Sequence, residues 1–363
     1  MKIDSCLIIK NEEENIEKLL NQLLIFSHEI HITDTGSTDN TLNILKKLQN
    51  NNSNLYIHYY EWDKDFGKAR DYSMNCYDIN ADYQFWCDGD DLLNDKLIDT
   101  LSDFSKNNFL QDDVYYIKYK YWYTDENPHI RASLVKVAAN IKWTDPIHEY
   151  LNINFKENSL NFSYFNNGSL ILHQHNYDSL NHCDRNLDIF FNMEKNNHEF
   201  NTRNKYYYAC ELMNTDLKGL ALLKFKEILD ADNLDIYAIY AASELITNYS
   251  GDPCIYDYIM KLLKYGIFRK DFFYYLGNYH FDKGQEYIAK IYYLACINYP
   301  DPDDFVGFKY NDSCIYNSLL QLGLIEYNLG NNQESLKYNE KILELYPGDD
   351  IAINNIDILS TLI

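Results

Sequence analysis

No stretch of this 363-residue chain approaches the roughly eighteen consecutive apolar residues that a membrane-spanning helix needs. The apolar start, Ile3-Asp4-Ser5-Cys6-Leu7-Ile8-Ile9, is short and runs at once into Lys10-Asn11-Glu12-Glu13-Glu14, unlike a secretory leader. The eight cysteines include no CxxC pair and no metal-ligand spacing. Several of them (Cys6, Cys87, Cys210 and Cys296) sit inside apolar runs, where a thiol behaves as a small hydrophobe. A cytoplasmic, reducing setting is the expectation. Positive charge is scarce as well: 32 Lys and Arg stand against 55 Asp and Glu, a net charge of −23. Such a surface repels nucleic-acid backbones and anionic lipid, so neither is an expected partner. A phosphate-bearing ligand would need local cations, above all a bound metal, to offset that field. The chain also lacks a serine nucleophile elbow, a Walker loop and a dinucleotide Gly-x-Gly-x-x-Gly, which sets aside the commonest other α/β chemistries.

What is present is ordinary for a folded protein in bulk, with 46% hydrophobic and 24% charged residues, and the length favours two domains. The 35 tyrosines stand out. Many fall in helix-like stretches, where an apolar ring with a polar tip suits half-buried surfaces.

The first third alternates short apolar runs with helical patterns. Strands are expected at Ile3–Ile9, Glu29–Thr33, Leu55–Tyr60 and Tyr83–Cys87. Between them come helices near Glu12–Phe26, after a cap at Ser37 or Thr38, and from about Gly67. This alternation argues for a largely parallel sheet. Val114–Tyr123, Ile130–Val137 and Ser169–His173 read as antiparallel strands, so the first domain is α/β with a mixed sheet. After about Asn181 the chain is helical and repeats itself. Gly277 and Gly284 are matched by Gly323 and Gly330, and Pro300 by Pro347. These two copies resemble tetratricopeptide repeats. Tyr208–Asp232 and Asp235–Gly266 read as looser copies. The expected division is 1–180 for the α/β domain, 181–200 for a connecting helix and 201–363 for an all-α repeat domain.

The candidate chemistry gathers at the ends of the expected strands. Asp88-Gly89-Asp90-Asp91 closes the fourth strand, where open α/β sheets bind ligands. Two close carboxylates repel unless something positive lies between them, and magnesium or manganese is the usual answer. Alone, the pair reads first as an acidic turn, which is common. Asp34-Thr35-Gly36-Ser37-Thr38-Asp39 follows the second strand: Gly36 permits a tight turn and Asp34 can accept hydrogen bonds from a base or ribose. Arg70 lies in the first turn of the third helix, within reach of a base or phosphate. In Ile147-His148-Glu149, His148 could complete a metal shell and Glu149 could take an acceptor proton. On a regular strand the two would point to opposite faces, so both act only from a turn or bulge. His173 and His175 share a strand face, and Arg131 could meet a diphosphate or an anionic acceptor.

Taken in order, Ile8-Ile9-Lys10-Asn11-Glu12-Glu13, Asp34-Thr35-Gly36-Ser37-Thr38-Asp39, Asp65-Phe66 with Ala69-Arg70, Asp88-Gly89-Asp90 and the His-Glu element resemble glycosyltransferase family 2. The branch most similar carries C-terminal tetratricopeptide repeats and includes bacteriocin S-glycosyltransferases of the sublancin type. The resemblance implies a GT-A nucleotide-sugar-binding domain and inverting transfer of a hexose from a UDP-sugar. The cofactor it implies is a divalent metal, Mn2+ or Mg2+. It places Ile9, Asn11, Glu12, Asp34, Arg70 and Asp88 at the donor, Asp88, Asp90 and His148 at the metal, and Glu149 as the catalytic base. The acceptor would be a glycan, protein or peptide, and the repeats would bind acceptor, partner protein or a second copy. Two positions depart from the family pattern: Thr35 stands where a second Asp is common, and Asp71 where Asn is common. An alternative is a repeat-based interaction scaffold whose transferase domain is degenerate.

Overall fold

The structure is a computed structural model, and it describes residues 1–107, 110–122, 128–153, 159–174, 179–300 and 313–363, with the side chains of 179–183 left aside. The chain divides into two compact units, Met1–His198 and Glu199–Ile363.

The first unit is built on a nine-stranded mixed sheet in the order β3-β2-β1-β4-β7-β6-β11-β5, with β10 paired to β6. Its parallel half comprises β1 (Ile3–Ile9), β2 (Ile30–Asp34), β3 (Leu55–Tyr59) and β4 (Tyr83–Asp88). β1, β2 and β4 are buried at almost every position, as strands covered on both faces must be. Helices α1 (Ile16–Leu23), α2 (Thr41–Asn51) and α3 (Phe66–Asn75) make the crossovers. On α1, Ile16, Leu19, Leu20 and Leu23 form one fully buried face against the core that also holds Leu7, Ile32, Leu45 and Phe85.

Beyond β4 the sheet becomes mixed. A short β5 (Asp91–Leu93) leads to α4 (Asp95–Asn107), and β6 (Val114–Tyr121) pairs antiparallel with β7 (His129–Lys136), which lies against β4. β8 (Trp143–Thr144) and β9 (Tyr150–Leu151) form a separate ribbon, and β10 is Phe162–Tyr164. β11 (Leu170–His173) corrects the expectation of simple antiparallel pairing: it runs parallel to β6 and antiparallel only to β5. Pairing direction depends on where the intervening loops carry the chain, which apolar periodicity does not encode. Helix α5 (Ser179–Lys195) completes the unit and buries Leu187, Ile189, Phe190 and Met193.

Two helix starts differ from expectation for a common reason. α1 begins at Ile16 and α2 at Thr41, because the polar residues before them are used to tie loop to loop. Ser37 Oγ accepts from Asn11 N at 2.9 Å, and Asn11 Oδ1 accepts from Thr38 N at 2.7 Å. Asn40 takes the cap position instead.

The second unit consists of helices α6 (Thr202–Met213), α7 (Lys218–Asp230), α8 (Ile236–Asn248), α9 (Cys254–Lys264), α10 (Lys270–Asp282), α11 (Glu286–Asn298), α12 (Ser313–Asn328), α13 (Asn332–Leu345) and α14 (Asp350–Ser360). The repeated glycines have physical roles. Gly284 and Gly330 occupy the left-handed region, at φ +69° and +78°, in the turns after α10 and α12. Gly277 faces the ring of Tyr293, itself fully buried, and a Cβ there would overlap that ring. Its counterpart Gly323 lies against Asn339. Gly277→Ala is therefore expected to destabilise the second unit by about 1–3 kcal/mol, read as a lower melting temperature, with residues 1–198 unaffected.

Candidate active site

The carboxyl ends of β1, β2 and β4 lie side by side, with Ile9 opposite Asp34 and Ile8 opposite Asp88. Loops leaving this edge are held by the side chains the motifs supply. The Asp34 carboxylate, nearly buried, accepts from Gly36 N at 3.0 Å and Ser37 N at 3.2 Å, which shapes the turn at Gly36. Asn11, with φ +59°, caps the same loop. Ile9 is buried, and its carbonyl accepts both Thr35 N and Thr35 Oγ1. Glu12 N donates to Thr41 Oγ1 at 2.8 Å, while its carboxyl group turns toward Gly89. A Cβ on Gly89 would sit 2.8 Å from Glu12 Cγ and 2.9 Å from Ile9 Cγ2, so only glycine lets the β4–β5 turn pass there.

Asp88 is the centre of a charged network. Arg70 Nη2 donates to its Oδ1 at 2.6 Å and Arg131 Nη1 to its Oδ2 at 2.9 Å. Arg70 also donates through Nε to Glu149 Oε1 at 2.7 Å, so one guanidinium links the strand-end acid to the later His-Glu element. Arg131 reaches on to Asp91 Oδ2 at 2.7 Å. The two guanidiniums are walled by aromatic rings: Arg70 by Trp86 and Trp143 at 4.8 and 5.1 Å, Arg131 by Trp86 and Tyr119 at 4.2 and 3.9 Å. Burial would push the Asp88 carboxyl upward, but Arg70 and Arg131 outweigh it and hold the group well below the usual carboxylate range.

Asp91 is completely buried, accepting Tyr119 OH at 3.0 Å and the amide of Asp88 at 2.9 Å besides Arg131. His173 Nδ1 lies 3.1 Å from Asp91 and 3.3 Å from Asp90. The imidazole is raised: burial disfavours its charge, but the hydrogen bond to Asp91 and the charges of Asp90 and Asp91 prevail. Asp90 is pushed up to about 7, by burial and by Asp88 and Asp91 against the opposing His173. Glu12 is pushed up to about 8, by burial and then by Asp90. The pocket thus concentrates more acid than its built-in cations neutralise.

The segment carrying Glu149 is a turn, as the two-sided expectation required: Asp145 and His148 have φ +68° and +50°. It passes so close to α3 that a Cβ on Gly67 would lie 2.6 Å from the Asp145 carbonyl oxygen. Asp71 accepts from Trp143 N at 2.9 Å, giving that departure from the family pattern a structural part in seating Trp143. The His148 ring stacks on Phe190 with centroids 6.2 Å apart. Among the described residues, the group around Asp88 whose ligand atoms lie within 4.8 Å of one another is Asp88, Asp91 and His173. Asp90 adjoins it through His173, and His148 is not in it. His175 lies outside the described residues. The aromatic walls Trp86, Trp143 and Tyr119 were not foreseen. For Trp86 a signal existed, since strand period two puts it on the same face as Asp88.

Residues 5–169 match the family described as Glycosyl transferase family 2. The first unit therefore carries a glycosyltransferase family 2 domain, and the second unit is a helical region. Among solved structures, S. aureus TarS 1-349 in complex with UDP-GlcNAc is similar at a TM-score of 0.42 and 15% identity, over 95% of this chain and 91% of that one. YrrB, a TPR protein with an unusual peptide-binding site, is similar at a TM-score of 0.36 and 20% identity, over 47% of this chain and 81% of that one. MamA gives 0.35 and 17%, over 45% and 87%. No curated protein matches the chain in sequence.

Proposed function

We propose that the protein moves a hexose from a UDP-sugar to a glycan, protein or peptide acceptor, with inversion and with a divalent cation. The observation that carries this reading is Asp88 gripped by Arg70 and Arg131 at the strand end beside Asp34, within a family 2 domain. Asp34, Asn11 and the loop they shape form the wall for the nucleoside, with Ile9 and Glu12 beneath. Arg70 and Arg131 orient Asp88 toward the ribose and diphosphate, and they are themselves held in place by aromatic rings.

The residues present suit Mn2+ or Mg2+. Asp88, Asp91 and His173 converge at ligand spacing, and Asp90 adds a third acid, itself buried, beside them. Such a crowd of carboxylates in a chain of net charge −23 cannot admit a diphosphate without added positive charge. A cation bound there would stabilise the leaving nucleotide as a Lewis acid. His148 is kept as a second candidate ligand on the acceptor side.

Glu149 takes the acceptor proton. Arg70 holds its Oε1, so its other oxygen is the one presented to an incoming nucleophile. Asp91 is fully buried, which removes it from reach of an acceptor. The division into a domain at 1–180, a connector at 181–200 and repeats at 201–363 is retained. The repeats are assigned to an acceptor, a protein partner or a second copy.

The test is a panel of UDP- and GDP-sugars incubated with the full chain and scored for nucleotide release with manganese, magnesium or chelator. The expected result is release from one UDP-sugar that rises with manganese and falls to background with chelator. Binding of UDP without turnover of any donor would favour the degenerate-domain scaffold.

A further inference from the structure

The face of the sheet that carries Asp88 holds a second polar cluster at its opposite end. Asp4 lies four residues before Ile8, the partner of Asp88 in the ladder, so the two clusters are separated by roughly 13 Å of strand. Asp4 is completely buried. Its Oδ1 is 3.1 Å from His28 Nδ1 and accepts from Glu29 N at 3.1 Å, and its Oδ2 accepts from Tyr77 OH at 3.3 Å. Ligand atoms of Asp4, His28 and Glu29 all lie within 4.8 Å of one another.

We propose that Asp4, His28 and Glu29 form a binding site for a divalent transition metal of the zinc class, distinct from the donor site. The donor set is the first reason. One imidazole nitrogen with two carboxylates suits zinc, whereas magnesium and calcium favour oxygen alone. Tetrahedral zinc at its usual bond lengths sets neighbouring ligand atoms about 3.3 Å apart, close to the 3.1 Å between Asp4 and His28.

The second reason is that the ligands are fixed in place. His28 N donates to the carbonyl of Ile3 at 2.8 Å, and Ser5 N to the carbonyl of Glu29 at 2.9 Å, so both residues are tied to β1. Around them stands a supporting shell of the kind that orients metal ligands. His31 Nε2 is 3.1 Å from Glu29 Oε2, and its Nδ1 is 3.0 Å from His58 Nε2. With His31 neutral, Nε2–H donates to Glu29 and Nδ1 accepts from His58, which satisfies the whole chain. The His31 ring stacks on Tyr77, whose hydroxyl donates to Asp4, closing the frame.

The third reason is charge. Asp4 is a buried carboxylate that no lysine or arginine pairs with among the described residues. A buried acid held by an imidazole, an amide and a hydroxyl but by no lysine or arginine is costly, and a divalent ion would offset it. The entrance is open, because the side chains of His28 and Glu29 are 32% and 26% exposed. A water can complete the coordination. The site ties the start of β1 to the loop entering β2, so its function is to hold the sheet together rather than to perform chemistry.

The experiment uses the full chain after chelator treatment, in a His173→Ala background that weakens the donor-site cluster's hold on the ion. Zinc is titrated calorimetrically, bound metal per chain is counted after dialysis, and melting temperature is followed with and without zinc. The expected result is one zinc equivalent per chain, a higher melting temperature with zinc, and no comparable response to magnesium. His28→Gln and Glu29→Gln should each weaken binding by about 10-fold or more and remove the thermal response. Both are partly exposed positions, and Asp4 is left untouched because its replacement threatens folding. Should either variant misfold, the anomalous signal of zinc in crystals of the parent locates the ion instead. No zinc bound by the parent, uptake unchanged in the two variants, or an ion located elsewhere would overturn the proposal.

Discussion

Asp88→Asn is expected to cut metal-stimulated nucleotide release about 10²–10³-fold and to lower stability by about 3 kcal/mol. Both effects come from one geometric fact: the two oxygens of Asp88 serve two different arginines, Arg70 on Oδ1 and Arg131 on Oδ2. An amide supplies one acceptor and turns two N–H groups toward the other guanidinium. One buried cation then loses one of its two acid partners, and Arg70 loses part of what positions it against Glu149. Asp90→Asn makes the contrast. Its carboxyl is already pushed up to about 7 by burial and neighbouring acids, so a neutral amide disturbs the fold little. That variant should melt close to the parent while donor turnover falls. Thermal melts and donor turnover with manganese, run on both variants, separate the structural part of Asp88 from the shared electrostatic one. Asp88→Asn retaining turnover within a few-fold would remove Asp88 from the donor end.

Much of this site could be read before the fold was known, because its residues sit where local sequence controls the backbone. Asp34, Asn11 and Gly89 mark strand ends and tight turns, and such positions announce themselves through small or polar residues bounding apolar runs. The repeat hairpins were legible for the same reason, since Gly277, Gly284, Gly323 and Gly330 recur at matched spacing and each meets a steric or conformational demand. What could not be read were the long-range partners. Nothing local says that Arg131 on β7 meets Asp88 on β4, since that follows from β7 inserting between β4 and β6. His173 reaches Asp91 only because β11 crosses to pair with β5. Nor does anything local mark Asp91 as the buried hub for Arg131, Tyr119 and His173. Sequence period fixed which face such residues share but not which strands lie beside them.

Glu149→Gln should leave affinity for the UDP-sugar within a few-fold and lower transfer to a hydroxyl acceptor by about 10²–10⁴. A glutamine oxygen can still accept from Arg70 Nε, so the link from Arg70 to Asp88 survives and the donor end is not disturbed. What the amide cannot do is take a proton, and a hydroxyl at neutral pH needs one removed as the new bond forms. A thiol acceptor is already partly ionised near neutrality, so the same substitution should cost far less with a cysteine acceptor than with its serine counterpart. The comparison therefore reports both the base and the acceptor class. Two histidine variants complete the set. His173→Ala removes the imidazole that converges with Asp88 and Asp91, and it should weaken manganese and donor together. His148→Ala should do the same only if the turn at His148 carries a ligand, and otherwise it loosens the packing on Phe190 and lowers acceptor transfer alone. Donor affinity, manganese dependence and transfer to paired hydroxyl and thiol acceptors, measured on all three variants, decide among these parts. Normal transfer by Glu149→Gln to a hydroxyl would place the base elsewhere, and the burial of Asp91 then leaves Asp145, in the same turn, as the acid to replace next.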